Sequence, residues 1–550
     1  LLFLHPEGVV SVGAELIKLV EGAVIKEVVD ALAGGLFALV VLFGDAVFTA
    51  ALPGLLTLGP QLLDAVVHRH RRPPVIATSD SDGRKKGSAT DCRRQQTALF
   101  ARSHNGRTMD ERATWATRIG FILAAAGSAV GLGNIWRFPF LTGESGGAAF
   151  LVVYLLLVVG VGVPVLLVEF VIGRRSNRNP IGAFERLGHP GWKAAGAVGA
   201  IAAFIIFSYY SVVGGWVIQY VVASFTGGYG ADAEAFFQST ASGTNAIAYH
   251  GLFMATVAGI VALGIRNGLE KAATVMVPTV VVLLVGLAGY GATLDGAGAA
   301  YSYYLAPDLS TIVGDAVSIL PAAAGQAFYT LSLGMGIMIT YASYIGEDRN
   351  LLEDVGVIVV LDTAIALLAG LVVFPFLFTQ GIDPGEGGAG SIFISLAGAF
   401  QQLPGGTLLG GIFFLMLLVA ALTSAFSIFE VVVSYITDTF DVNRVPTALG
   451  MAGLLFVVGI PTALDLTYLD AYDLFANNIL LILSGLLLSI FIGWVYAGEA
   501  VEELGKGRAS DGRIEAIWLT TLRYVVPIVL AITLALSVRD YIGFLQESFL

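Results

Sequence analysis

Cysteine occurs once in these 550 residues, as Cys92, so no disulfide forms within the chain and dithiol redox chemistry is excluded. Histidine is nearly as scarce. Beyond residue 108 only His189 and His250 remain, both near the ends of apolar segments. With them no metal-ligand spacing and no nucleophile elbow appears, so an enzyme is not expected. Charged residues make up only 13% of the chain, and the acids outnumber the bases, giving a net charge of −12. A nucleic-acid partner is therefore not expected. What the chain has in abundance is apolar surface: 56% hydrophobic residues and a mean hydropathy of +0.82. A membrane-spanning helix needs roughly 20 mostly apolar residues. From Ile119 onward eleven windows qualify: 119–141, 148–172, 194–224, 247–265, 272–292, 315–344, 353–379, 406–438, 445–464, 474–498 and 519–541. This predicts an all-α polytopic membrane protein whose partner is the lipid bilayer.

The few basic residues orient it. Arg112 and Arg118 precede the first window, and Arg174, Arg175, Arg178, Arg186 and Lys193 fill the second loop. Arg266 and Lys271, Arg349, Arg444, and then Lys506, Arg508 and Arg513 mark the later even loops. The odd loops carry Asp232, Glu234, Asp295, Asp308, Asp383, Glu386, Asp465 and Asp470. By the positive-inside rule the core's N-terminus is cytoplasmic and its C-terminus extracellular, in a plasma membrane.

Residues 1–108 differ in character. They contain no methionine; 69–107 are rich in Arg, Lys and Ser and read as a disordered linker. Residues 31–59 are apolar but interrupted by Gly34-Gly35, Asp45 and Pro53. An added helix, a short hairpin and a surface segment all fit, whereas a cleaved signal peptide fits poorly. Translation from Met109 would make the whole extension an annotation artefact, which mass spectrometry of the native N-terminus would decide.

The first window breaks the helix code in its middle. Gly127-Ser-Ala-Val-Gly-Leu-Gly-Asn-Ile-Trp-Arg-Phe-Pro139 crowds three glycines, an asparagine and an arginine at membrane depth. Backbone freed there costs several kcal/mol per group against lipid, so it belongs where an ion or substrate satisfies it. The sixth window is interrupted in the same way at Gln326-Ala-Phe-Tyr-Thr-Leu-Ser-Leu-Gly-Met-Gly336. Each broken segment opens a five-helix unit, and tandem units of odd length are inverted relative to each other. Such paired breaks point to the substrate site of a secondary transporter, where helix ends offer N–H groups to an anion and C=O groups to a cation. Close helix packing alone explains one glycine-rich segment but not two in matching places.

The stretches Arg112-Ala-Thr-Trp-Ala-Thr-Arg-Ile-Gly120, AVGLGNIWRFP, GQAFYTLSLGMGIMITYASY (325–344) and AALTSAFSIFE (420–430) resemble the neurotransmitter:sodium symporter family over essentially all of 109–541. The resemblance implies a LeuT-type 5+5 inverted repeat with helices 1 and 6 broken and eleven transmembrane helices, similar to many prokaryotic members. Repeat one would cover about 112–292, repeat two about 310–498, and an extra helix 519–541, within a transporter domain of 109–550. It further implies sodium-coupled import of an amino acid, with two sodium ions as the coupling cofactors.

Carried over residue by residue, the resemblance implies one sodium site at Gly127, Val130, Ala420, Thr423 and Ser424, an uncharged all-oxygen shell suited to a hard cation. The other would use Ala129, Asn134, Thr330 and Asp362, completed by the substrate carboxylate. Asp362 departs from the asparagine common in the family. Ala366 stands one turn on, where chloride-dependent relatives place a hydroxyl. A carboxylate at the bilayer centre costs on the order of 2.5–3.5 kcal/mol and needs a partner. Chloride independence is the expectation, with Asp362 supplying the negative charge. The substrate pocket would comprise Ala129, Gly131, Gly133, Ile206, Tyr210, Tyr329, Thr330, Ser332, Met335, Ser424 and Ile428. Monoamine transporters of the family carry an aspartate at Gly131; glycine there implies a substrate that brings its own carboxylate. Met335, adaptable and polarizable, favours a neutral amino acid with a hydrophobic or aromatic side chain.

The resemblance also implies gates: Arg137 with Asp473 outside, and Arg112, Tyr344 and Asp438 with the plug Trp115 inside. Exposed ion pairs contribute little, typically about 0–1 kcal/mol, which suits contacts broken in every cycle. Glu430 lies within the eighth window, and its ionisation is not legible from sequence. A channel or an amino-acid-sensing receptor of the same fold is the alternative. The oligomeric state is not legible.

Overall fold

The computed structural model describes residues 115–549, apart from 227, 230–231, 385–389, 404 and 509–511. The extension 1–108, Met109 and Arg112 lie outside the described residues. Every apolar window folds as helix because a chain in hydrocarbon must satisfy its backbone internally. The bent pair α1 (Arg118–Ala129) and α2 (Gly133–Glu144) turns by 44° at its break. Then follow α3 (Ala148–Ser176), α4 (Pro190–Thr226), α5 (Thr244–Ala262) and α6 (Ile265–Gly291). The second broken span is α7 (Ala316–Thr330) and α8 (Ile337–Ala342), each half too short to cross alone. The series ends with α9 (Leu351–Thr379), α10 (Gly406–Phe440), α11 (Arg444–Leu464), α12 (Leu466–Val495) and α13 (Arg513–Phe549). Among the described residues nine continuous helices are long and apolar enough to cross, and the two broken spans complete the eleven windows read from the sequence.

The packing places both breaks in the interior. The 37-residue α4 lies along the 35-residue α10 and also touches α5, α11 and α12. Against this pair α1 is enclosed by α6, α9 and α10, while α7 and α8 lie along opposite ends of α3. The start of α2 meets both α7 and α9, so the two interrupted segments sit side by side. Outward faces stay apolar: Val275, Val282 and Val285 on α6 and Ile528 and Ile532 on α13 are exposed, as a lipid-facing surface requires.

On the face that collects the basic loops, charges interlock. Arg174 and Glu503 are both fully buried, with Nε donating to Oε1 at 2.6 Å. Arg174 also donates to the carbonyl of Arg349 at 2.6 Å, and Lys506 Nζ reaches Glu503 at 2.9 Å. Burial acts to raise the Glu503 carboxyl, but hydrogen bonds and charge from Lys506 and Arg174 outweigh it and hold it below the ordinary carboxylate range. Asp354, at the start of α9, is shared by Arg118 and Arg349 at 3.1 and 2.6 Å.

Candidate functional site

The break in the first span begins where Val130 leaves the helix at φ −77°, ψ 96°. Helical geometry resumes at Gly133 with a π-helical turn carrying Asn134 and Arg137. The carbonyls freed at the end of α1 point at α10. Thr423 Oγ1 lies 3.2 Å from the carbonyl of Val130 and 2.8 Å from that of Ala420. Ser424 Oγ donates to the carbonyl of Ser128 at 2.8 Å and lies 3.4 Å from that of Gly127. Gly127, Val130, Ala420, Thr423 and Ser424 thus form one cluster of carbonyl and hydroxyl oxygens, the donor set a hard monovalent cation takes.

The second break is driven by left-handed backbone. Ser332, Gly334 and Gly336 have φ of +55°, +74° and +71°, so no helix runs through them. For the serine this conformation is unfavourable; its hydroxyl is anchored on Ser128, 3.1 Å from both the carbonyl and Oγ. Gly334 accommodates the close approach of Leu481, and its N–H donates to Glu169 Oε1 at 2.7 Å. Glu169 is a fully buried carboxylate on α3 that the sequence reading passed over. A lone acid in an apolar window was the signal for it.

Asn134, Thr330 and Asp362 come together from α2, α7 and α9, all fully buried. Asn134 Nδ2 donates to Asp362 Oδ1 at 2.8 Å and to its carbonyl at 3.2 Å, while Asn134 Oδ1 accepts from the Gly131 N–H at 3.3 Å. Thr330 Oγ1 is 3.1 Å from each carboxylate oxygen. The Tyr154 hydroxyl on α3 faces Thr330 and Asp362 without reaching hydrogen-bond geometry, and Ala366 is buried one turn beyond.

Between these two polar clusters lies a small cavity lined by Ser128, Ala129, Gly133, Tyr210, Tyr329, Ser332, Met335, Ser424 and Ile428. Ser128 is the addition to the residues read from sequence. Of the rest, Ile206 is buried on α4 one turn before Tyr210, and Thr330 faces Asp362; neither lines the cavity. Gly131 does not line it either, because the Ser424 and Tyr210 hydroxyls close over its α-carbon: a Cβ there would overlap Ser424 Oγ and lie 3.1 Å from Tyr210 Oη. The Tyr210 hydroxyl donates to the carbonyl of Ala421 at 3.2 Å and lies 3.4 Å from the N–H of Leu132.

Toward the acidic loops, Arg137 and Asp473 meet at 3.3 Å above the cavity. Arg137 also donates to Gln326 at 3.1 Å, and its guanidinium sits 5.3 Å from the Tyr329 ring centre. Asp473 further accepts from Tyr209 at 2.9 Å and from Asn477. Gln326, Tyr209 and Asn477 were not singled out from sequence, although Gln326 stood inside the second glycine motif. Toward the basic loops, Trp115 donates through its indole N–H to the carbonyl of Tyr341 at 3.1 Å, with its ring against Phe121, Tyr341 and Tyr344. Asp438 accepts from Asn179 at 3.3 Å. Glu430 is fully buried and ion-paired with Arg444, with the Tyr344 hydroxyl at 3.3 Å. Arg112, the remaining gate residue expected from sequence, lies outside the described residues.

Two glycine-broken helices packed side by side, with oxygen clusters on either side of a small cavity, define a secondary transporter. The chain belongs to the sodium:neurotransmitter symporter family, which it matches over residues 112–233 and 237–549. It is 35% identical over 439 residues to an uncharacterised sodium-dependent transporter of Bacillus subtilis, covering 76% of this chain and 96% of that one. A similar transporter of Methanocaldococcus jannaschii is 35% identical over 452 residues, covering 78% and 91%. Among solved structures, MhsT in complex with L-phenylalanine superposes with a TM-score of 0.73 at 38% identity, covering 78% of this chain and all of that one. The fold is therefore the LeuT type expected from sequence. The protein is a sodium-dependent, multi-pass membrane symporter, which is not an enzyme class.

Proposed function

We propose that this symporter imports a neutral amino acid with a hydrophobic or aromatic side chain, together with two sodium ions, by alternating access and without chloride. The observation that carries this reading is Asp362, a fully buried carboxylate held by Asn134 and Thr330 beside the cavity. One sodium ion between Asp362, Asn134, Thr330 and the Ala129 carbonyl would neutralise that carboxylate and still attract the substrate's own. The second would lie among Gly127, Val130, Ala420, Thr423 and Ser424, joining α1 to α10. Tyr210 would turn its hydroxyl toward the substrate carboxylate. Tyr329, Met335 and Ile428 offer the side chain an apolar, partly aromatic wall. The phenylalanine bound by MhsT supports the same substrate class here.

In this reading Arg137 and Asp473 close the extracellular side, and Trp115, Tyr344 and Asp438, joined by Arg112, close the cytoplasmic side. The basic loops face the cytoplasm of a plasma membrane. The five helices of about 112–292 and those of about 310–498 are the inverted repeats, with 519–541 the added helix.

Binding of the twenty amino acids to purified protein, by scintillation proximity with and without sodium, tests the substrate class. Sodium-dependent binding confined to apolar and aromatic amino acids is expected. Equal binding without sodium would overturn the coupling, and preference for an amine lacking a carboxylate would overturn the role given to Gly131. Uptake into proteoliposomes separates the alternatives: a channel passes current without substrate, and a sensor binds without uptake. Replacing chloride by gluconate should leave the uptake rate unchanged; a collapse would refute chloride independence.

A further inference from the structure

The N-terminal end of α1 is fastened in an unusual way. A helix begins with backbone N–H groups that have no partner inside the helix, and a side chain just before it ordinarily supplies one. Here Thr117 does so, its Oγ1 accepting from the Gly120 N–H at 2.9 Å. The donors just ahead of the helix converge on a carboxylate from another span. Glu270, in the first turns of α6, accepts from the Ala116 N–H at 2.8 Å, the Thr117 N–H at 3.1 Å and the Thr117 hydroxyl at 3.0 Å. Glu270 is 5% exposed and is joined by no ion pair among the described residues. Its negative charge sits at the positive end of the α1 dipole.

Gly120 explains itself through this contact. It lies in regular helix, where glycine costs about 1 kcal/mol relative to alanine, and it needs no left-handed backbone. A Cβ at that position would overlap Glu270 Oε1 and lie 2.5–2.6 Å from Cδ and Cγ. Only a bare α-carbon lets the carboxylate lie along the helix and reach all three donors.

We propose that Glu270 is a positioning residue: the latch that holds the basic-loop end of α1 against α6 and sets how readily the cytoplasmic side opens. The proposal rests on the alternating-access reading and adds to it that α1 leaves α6 when the cytoplasmic side opens. While α1 is docked, the carboxylate is buried and its three hydrogen bonds satisfy it. When α1 swings away, water enters and solvates both the carboxylate and the freed N–H groups. The latch is therefore strong in the dry, closed state and released without leaving an unsatisfied buried charge.

The test uses the full-length protein in nanodiscs, with Cys92→Ser and a single reporter at Ala124→Cys, a 3% exposed site in α1. A charged maleimide then reads access from the cytoplasmic side. Glu270→Gln should raise the labelling rate about tenfold, the factor implied by losing one charge-assisted hydrogen bond. Thr117→Val, which removes only the hydroxyl, should give a smaller rise, and Gly120→Ala should act in the same direction. A second reporter at Leu474→Cys, beside Asp473, should label more slowly in the same variants, because a population drawn inward-open leaves the outside closed. Folded variants whose Ala124→Cys labelling is unchanged would overturn the latch. So would a rise at both reporters, which marks general loosening. Should Glu270→Gln fail to fold, Thr117→Val and Gly120→Ala report on the same contact. Sodium-dependent phenylalanine binding in the parent protein is measured alongside. Its absence would count against the transport reading, whereas unchanged labelling with intact binding counts against the latch alone.

Discussion

At position 362 a single carboxylate changes what the site requires of the solution around it. Asp362 is fully buried, and the Asn134 amide and the Thr330 hydroxyl each donate to its carboxylate. In the proposed mechanism it neutralises the first sodium ion. Asp362→Asn should therefore weaken sodium-dependent substrate binding by about tenfold or more, since hydrogen bonds to a charged group contribute about 1.5–3 kcal/mol each. Scintillation-proximity titration with sodium checks this, and an unchanged sodium affinity would remove Asp362 from the ion site. Gly131 makes a steric argument beside this electrostatic one. With Ser424 Oγ and Tyr210 Oη already against its α-carbon, Gly131→Ala must displace the hydroxyl that reaches the Ser128 and Gly127 carbonyls. Loss of both sodium and substrate binding is expected in a protein that still folds, measured by thermal shift and ligand binding together.

At the scale of helices, the sequence carried the interruptions but not their fastenings. Glycine clusters at 127–133 and 334–336 fall inside otherwise apolar windows, and that conflict between composition and helix period is visible in one chain. What closes around the breaks is not local: Ser424 is 296 residues from the Ser128 carbonyl it meets, and Glu169 meets Gly334 across 165. No spacing rule links such partners, so the contacts of Glu169, Gln326, Tyr209, Asn477 and Glu270 appear only in the folded structure. Asp473 shows why this matters, because Arg137 is only one of three groups that donate to it. Asp473→Asn should speed substrate dissociation toward the outside by only a few-fold, since the amide oxygen can still accept from Arg137 and Tyr209. Stopped-flow dissociation would detect it. The Arg174–Glu503 pair behaves differently because both groups are fully buried. A carboxyl held below its ordinary value contributes stability that is present above the unfolded pKa and disappears as pH falls through the folded one. The thermal midpoint should thus drop as pH goes below the ordinary carboxylate range. Glu503→Gln should lower it already at neutral pH, through a stability loss of roughly 3–5 kcal/mol typical of an orphaned buried charge, and reduce the acid-side dependence. Identical pH profiles for the variant and the parent would refute the assignment.

For the whole molecule, the eleven spans were legible because lipid imposes a length and a polarity that composition alone reveals. The number of ions moved per cycle is a property of the complete transport cycle, and Asp362 fixes how it should be measured. With two sodium ions bound and Asp362 ionised, the loaded carrier crosses with one net positive charge. The empty carrier returns with one negative charge, so two charges move per substrate whichever step senses the voltage. Each charge gains about 2.3 kcal/mol per 100 mV. At about 1.4 kcal/mol per factor of ten, two charges support on the order of a thousandfold accumulation of a zwitterionic substrate at equal sodium on both sides. A single sodium ion would support only about fiftyfold by the same constants. Proteoliposomes clamped at 100 mV, inside negative, with phenylalanine as the probe and gluconate in place of chloride, distinguish the two. A static ratio near the higher figure upholds two-ion coupling with Asp362 remaining charged. A ratio near the lower one means that one sodium ion is absent, or that Asp362 returns neutralised by a proton, and intravesicular pH recorded in the same vesicles tells these apart.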